Sequence, residues 1–220
     1  VITHRIETDL PTEGLRGLFE VRGNDVADEF ARGGVIDFAV KLRPESAIVA
    51  HFDGFRRSTK DGRIPGFAES ARLRADEAAE AAEQGEPAPF AARGRLPNSA
   101  LDTESGAAGL SYVSPTLHLG LSYNGMNSNY GVPGHAHDHE DEVGPGDADG
   151  VRIDLRQRRI DVQGEWHGTA GMLNGVRFKL GHARYRHAEI EPNGDIGTVF
   201  TNKGHDARLE FLHGENAPWT

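Results

Sequence analysis

The chain has 220 residues, no cysteine and a formal net charge of −10 at pH 7. The negative charge argues against nucleic acid as a partner, because no basic surface balances the phosphate charges, and the lack of cysteine excludes disulfides and thiolate metal sites. No run of about 20 apolar residues predicts a transmembrane helix, although membrane β-strands, which alternate apolar and polar positions, stay possible.

The first part of the chain predicts strands that are joined by tight turns. Residues 2–7 and 14–22 are predicted as two strands with a proline-containing turn between them. Residues 36–42 alternate apolar and polar side chains, as a half-buried strand does. The Arg-Pro-Glu-Ser segment 43–46 predicts a tight turn into a further strand over 48–57.

A predicted long loop, 59–103, contains one helix. Residues 70–84, SARLRADEAAEAAEQ, are strong helix formers, with Ser70 as the expected N-cap and Gly85 as the expected stop. The apolar residues of this segment are nearly all alanine. We therefore expect a solvated surface helix rather than a binding element.

Residues 108–112 and 117–123 predict the next pair of strands, with a tight turn at 113–116. In the second strand leucines alternate with His118, Gly120 and Ser122, and Tyr123 ends the apolar row. A tyrosine at that place is typical of a lipid-facing strand that reaches the membrane interface. The side chains expected to face lipid are Leu117, Leu119, Leu121, Leu209 and Phe211, and those expected to face a lumen are His118, Arg208 and Glu210.

Three long strands are predicted in the second half, over 151–166, 175–188 and 197–213. The total is about nine antiparallel strands, several of them longer than the usual ~5–6 residues. The tight turns lie at one end of these strands and the long loops, 59–103 and 131–150, at the other. A soluble β-sheet is the alternative, but this asymmetry favours an all-β, antiparallel transmembrane barrel portion.

The loop 131–150 carries the clearest candidate site. His135, His137 and His139 alternate with other residues, so in an extended segment their imidazoles point the same way and can share one ion. Imidazole and carboxylate suit borderline divalent cations, zinc first. The predicted metal-binding residues are His135, His137, His139, Asp138, Glu140 and Asp141. The other interpretation is an acidic loop without fixed geometry.

Four further histidines lie on the predicted strands: His182, His187, His205 and His213. A single histidine on a strand is usually a hydrogen-bonded polar residue. We expect these four to be structural rather than metal ligands.

Four segments resemble a known family in the same order along the chain. NSNYGVPGHAHDHEDE (127–142) resembles the histidine-rich extracellular loop of TonB-dependent outer-membrane receptors of the zinc-uptake type. GRLPNSALDTESGAAGLSYV (94–113), VRIDLRQRRIDVQGEWH (151–167) and the segment 178–214 resemble neighbouring strands and loops of those receptors. RIDLRQRR and ARYRHAE are the more specific strings.

The resemblance implies a barrel of about 22 strands that is filled by an N-terminal plug. Residues 1–220 would be the first strands of that barrel, and the plug domain and C-terminal strands are expected to be absent. The expected location is the outer membrane of a Gram-negative cell. The expected partners are outer-membrane lipid, a divalent metal ion and the TonB energy-transducing complex, which acts through the missing plug.

The predicted function is capture and TonB-dependent uptake of a divalent metal ion, zinc first, with zinc as the transported ligand and no catalytic cofactor. The chain is not expected to be an enzyme, because uptake involves no chemistry on the ion. A siderophore or haem receptor of the same fold is one alternative, since histidines can contact haem iron. A soluble or surface-attached metal-binding module is the alternative from another class.

Overall fold

One antiparallel β-sheet of eight strands dominates the computed structural model, which describes residues 5–89, 91–133, 150–170 and 173–213. The strands of this sheet are β1 (Leu15–Asn24), β2 (Glu29–Arg43), β3 (Ser46–Thr59), β6 (Leu101–Val113), β7 (Leu117–Gly131), β8 (Arg152–Ala170), β9 (Leu173–Ile190) and β10 (Ile196–His213). They run from 10 to 19 residues. These lengths exceed that of the usual strand and reach or exceed the ~9–11 residues that a tilted membrane strand requires.

The strands follow one another across the sheet in the order β1-β2-β3-β6-β7-β8-β9-β10. Every neighbouring pair is antiparallel and, apart from local shifts near the strand ends, in continuous register. Within the described residues β1 and β10 do not pair with each other, so the sheet is open. The predicted antiparallel all-β class is confirmed in this form.

Eight of the nine predicted strands are present, and the prediction for residues 2–7 is wrong in the part that is described. Residues 5–7 form no strand in the structure and instead cross one face of the sheet. The Glu7 backbone N–H donates to Ser111 Oγ at 2.8 Å. Gly109 and Gly120 allow this close approach, because a Cβ at either position would collide with the crossing segment. Residues 5–7 thus bond to side chains that are distant in sequence and do not pair with the strand 14–22 that follows them.

The sheet has one apolar and one polar face, because side chains alternate along each strand. We call the first the apolar face; its exposed side chains include Phe19, Phe38, Phe52, Leu110, Leu119, Leu121, Leu180, Leu209 and Phe211. The other, which we call the polar face, carries His118, Arg208 and Glu210, and its exposed apolar exceptions include Leu18, Phe55 and Phe200. The predicted division of these side chains between two faces is confirmed.

Few apolar side chains are buried. Those that are buried among the described residues are Ile6, Ala47, Val49, Ala81, Val113, Ile153 and Ala188. Among the described residues neither the second sheet nor the helix covers the apolar face, and Leu121 and Leu209 are 51% and 59% exposed. The described fold therefore leaves its main apolar surface open.

The two ends of the strands differ in their connections. At the end that we call the turn side, residues 44–45 and 114–116 connect neighbouring strands. The opposite end, the loop side, carries the connection 60–100, the connection 132–151 and two shorter ones. The prediction that the two tight turns and the two long loops lie at opposite ends of the strands is confirmed.

The longest connection folds into a small unit of its own. β4 (Arg63–Phe67) pairs with β5 (Arg93–Arg95), and α1 (Ala71–Gln84) lies between them in the chain. Ser70 Oγ accepts from the Leu73 N–H, and Gly85 has φ 76°, so both predicted helix ends are confirmed. The Arg74 guanidinium lies 3.6 Å from the Phe67 ring centroid and holds the helix to β4.

Candidate functional site: the loop side and the polar face

The predicted metal-binding residues His135, His137, His139, Asp138, Glu140 and Asp141 lie outside the described residues, which stop at 133 and resume at 150. What the structure does describe is the base of this loop. The Val132 N–H donates to the Val151 carbonyl at 3.0 Å, which brings the two ends of the loop together.

Asn98, from the preceding long loop, closes the same base. Its side-chain Nδ2 donates to the carbonyls of Val132 (3.0 Å) and Val151 (2.9 Å). Asn98 adopts φ 54°, a left-handed conformation that asparagine tolerates better than most residues. A Cβ on Gly131 or Gly150 would collide with Asn98. The histidine-rich loop therefore starts from a base that is joined to the other long loop.

A connected set of charged side chains lies on the polar face near β2 and β3. His51 is 4% exposed and contacts Asp37 Oδ1 through Nδ1 (2.6 Å) and Asp53 Oδ2 through Nε2 (3.0 Å). Arg16 Nε donates to Asp37 (2.9 Å) and Arg5 Nε donates to Asp53 (2.9 Å). Each carboxylate is held by two partners, so this set is a structural network rather than an open ligand site.

The network also anchors the segment that precedes β1. Arg5 reaches Asp53 on β3, and Glu7 accepts from Arg16 at 2.8 Å. The same segment donates to Ser111 on β6 through its backbone. These contacts fasten the chain upstream of β1 across the polar face. The signal for them was present in the sequence, since Asp37, His51 and Asp53 occupy polar positions of predicted strands, but their partners come from other strands.

A second charged cluster lies on the polar face of β8, β9 and β10. Glu165 accepts two hydrogen bonds from Arg177, at 2.8 and 2.6 Å, and lies 2.9 Å from His167 Nε2. The Glu210 carboxylate accepts from Arg208 at 2.6 Å. A pocket of about 270 Å³ adjoins these groups. A larger groove of about 510 Å³ lies over β1, β2 and β3, and both charged residues such as Glu20 and Arg57 and apolar residues such as Leu18 and Phe55 line it.

The four other histidines do not converge. His182 and His205 stack with ring centroids 4.4 Å apart on the apolar face, and Arg184 Nε donates to His182 Nε2. His187 lies on the polar face, where it contacts the Tyr185 hydroxyl at 3.2 Å. Among the described residues, which omit 134–149, no group of three or more potential ligand side chains could hold a metal ion.

A scan of the chain against protein-family models finds no match. In the described part of the chain, no helix has the length and hydropathy needed to cross a membrane. The functional assignment accordingly depends on the geometry of the sheet, its loops and its charged groups.

Proposed function

We propose that this chain is part of a TonB-dependent outer-membrane receptor that takes up a divalent metal ion, zinc first. The observation that carries the proposal is the exposed apolar face, which continues through all eight strands of the sheet. A water-soluble domain rarely exposes an apolar patch of more than a few hundred Å², and larger patches mark contact with a partner or a membrane.

The dimensions of the apolar face support contact with lipid. The row Leu117, Leu119, Leu121 and Tyr123 rises about 20 Å along its strand, close to the ~25 Å apolar band of outer-membrane barrels. Trp166 lies on the same face near the turn side, and Tyr123 lies nearer the loop side. Aromatic residues at both borders of an apolar band suit the two membrane interfaces.

The polar face and the loop side support the capture of a cation. His135, His137 and His139 are proposed to bind the ion as neutral imidazoles, and Asp138, Glu140 and Asp141 to raise its local concentration and supply oxygen ligands. The polar face, with its charged groups and grooves, is proposed to line the lumen. The protein performs no chemistry on the ion in this proposal.

The open edges of the sheet indicate what completes the receptor. Unpaired strand edges are not tolerated in lipid, so β1 and β10 require further strands as partners. In the proposed receptor these strands, together with a plug that communicates with the TonB complex, are supplied by other parts of the protein. Residues 5–7 are held on the polar face by Asp53 and Ser111, which supports the proposal that a plug precedes β1 on the lumen side.

Zinc binding and uptake by the whole receptor test the function. Replacing His135, His137 and His139 together with Ala should lower zinc affinity far more than replacing Glu140, Asp141 and Glu142 with Gln or Asn, because zinc prefers nitrogen donors and exposed carboxylates mainly provide a screened field. Isothermal titration of both triple variants measures this. Equal losses would show that the loop is only an electrostatic funnel.

The same titration has a defined pH dependence. Neutral imidazole binds the metal, so zinc affinity should fall as the pH drops through about 6.5, the ordinary histidine pKa. Uptake of labelled zinc into cells should require TonB and should resist competition by haem. Uptake of haem or a siderophore in place of zinc would overturn the choice of metal and support the alternative receptor class.

A further inference from the structure

Three cationic residues face one another across β8, β9 and β10. Arg158 is opposite Arg184, and Arg184 is opposite Lys203. We call this set the cationic row. Like charges directly opposite in a sheet destabilise it. At the usual strand spacing the row spans about 10 Å.

No carboxylate among the described residues contacts the cationic row. Arg158 donates to the carbonyls of Met126 (3.1 Å) and Gln157 (2.8 Å) and to Asn127 Oδ1 (3.0 Å). Arg184 donates to the imidazole of His182 at 3.3 Å. On the polar face of the same strands, by contrast, Arg159 is paired with two aspartates.

The surroundings of the row add to its positive charge. One step further towards the loop side, Arg156 and Arg186 are opposite each other and share the single carboxylate of Asp154. On β8, β9 and β10 these five cations therefore face one carboxylate, and Glu104 on β6 is linked to Arg158 only through the Asn127 amide. Arg184 and Lys203 are exposed, so an external anion can reach them.

The position of the row identifies the kind of anion. The row lies on the apolar face, at its loop-side border. One step towards the turn side follow Ile160, His182 and His205, and beyond them lie the exposed apolar rows that contain Leu180 and Leu209. A molecule bound here meets cations at one end and an open apolar surface at the other.

We propose that the cationic row binds the phosphate headgroup of an anionic lipid whose acyl chains lie along the apolar rows below it. Guanidinium groups bind phosphate oxygens in a bidentate manner, and the ammonium group of Lys203 adds a third charge. The bound phosphate neutralises the repulsion between the three opposed cations. This inference rests on the proposed placement of the apolar face in a membrane.

The double variant R184Q/K203Q tests the site in the whole receptor. Both residues are exposed, whereas Arg158 is left unchanged because its hydrogen bonds to two carbonyls support the backbone. The matched control is K179Q/R208Q, which removes the same charge from the polar face of the same two strands, where Lys179 is opposite Arg208.

Native mass spectrometry of the detergent-purified receptor with added phosphatidylglycerol measures the affinity. We expect R184Q/K203Q to bind this lipid on the order of 10-fold more weakly, and K179Q/R208Q to bind it as the unchanged receptor does. All three proteins should bind phosphatidylcholine with the same affinity, because its choline group balances the phosphate charge. Inorganic phosphate should compete poorly, because it lacks the acyl chains.

Unchanged phosphatidylglycerol affinity in R184Q/K203Q, or equal losses in both variants, would overturn the site. Effective competition by inorganic phosphate would overturn its assignment to lipid. Zinc titration of the same samples tests the proposed function separately. If zinc binds but both double variants bind phosphatidylglycerol equally, only the lipid site is rejected. If R184Q/K203Q alone binds the lipid more weakly but no protein binds zinc, only the metal function is rejected. Strand content by circular dichroism verifies that each variant is folded.

Discussion

At the scale of single residues, His51 and Asn98 have the most defined surroundings. His51 is buried between Asp37 and Asp53, whose remaining partners are Arg16 and Arg5. Asn98 uses one amide group to hold two backbone carbonyls. His51 joins the neighbouring strands β2 and β3, and Asn98 joins two loops that are distant in sequence, so both are expected to contribute to stability.

Replacing His51 with Leu should destabilise the fold, because Asp37 and Asp53 lose a shared partner while they stay sheltered from water. The expected loss in the free energy of unfolding is about 2–3 kcal/mol. Urea unfolding of the refolded protein measures it. His205→Leu is the control: His205 is exposed and loses only the stacking of its ring on His182, so its replacement should cost about 1 kcal/mol or less. A similar effect of both changes would contradict a structural role for the network.

Replacing Asn98 with Gly tests the base of the histidine-rich loop. Glycine tolerates φ 54° but removes both hydrogen bonds to Val132 and Val151. We expect a loss of about 1–2 kcal/mol and faster hydrogen exchange at the Val132 amide. Asn98→Ala should cost more, because it adds backbone strain to the same loss. Unchanged exchange in Asn98→Gly would show that the loop base holds without this residue.

At the scale of the elements, the two faces of the strands present similarly exposed apolar side chains to different surroundings. Leu209 lies on the apolar face and Leu18 on the polar face, yet their exposures are nearly equal, at 59% and 58%. In water, a change to lysine at either position would have a similar small effect. In a membrane the two positions are not equivalent, since only one of them contacts lipid.

If the apolar face contacts lipid as proposed, Leu209→Lys should destabilise the membrane-inserted protein by about 2–4 kcal/mol, the cost of a lysine in a lipid-facing band. Leu18→Lys, the matched control, should cost much less, because its side chain would lie in the aqueous lumen. Chemical unfolding of the receptor in lipid vesicles measures both. Equal costs would contradict the membrane assignment of the apolar face.

At the scale of the whole molecule, the sheet has much exposed apolar surface and few buried apolar side chains. Seven apolar residues form the buried core of the described part. Burial contributes roughly 25 cal/mol per Å² of apolar surface removed from water, so this fold gains little from its own interior. The edges of the sheet at β1 and β10 also present backbone N–H and C=O groups that can pair with another chain.

The 220-residue chain on its own should consequently partition into detergent micelles and self-associate when detergent is removed. Analytical ultracentrifugation with and without a neutral detergent measures the change. A monodisperse chain in detergent-free buffer would instead support the soluble metal-binding module.

The sequence by itself determined the local features. The alternation of Leu117, Leu119 and Leu121 specified a strand with one apolar face, because successive side chains point to opposite sides. The helix ends at Ser70 and Gly85 were also predictable from the sequence, because capping depends on residues within one turn. The tight turns at 44–45 and 114–116 followed from proline and its neighbours.

Only the tertiary structure decided which strands are neighbours and in which register. That register places Arg158, Arg184 and Lys203 in one row, which the alternation of side chains along each single strand does not specify. Residues 5–7, predicted as a strand, cross the polar face because Asp53 and Ser111 supply their partners. Local sequence cannot encode such contacts, because each depends on groups tens of residues away.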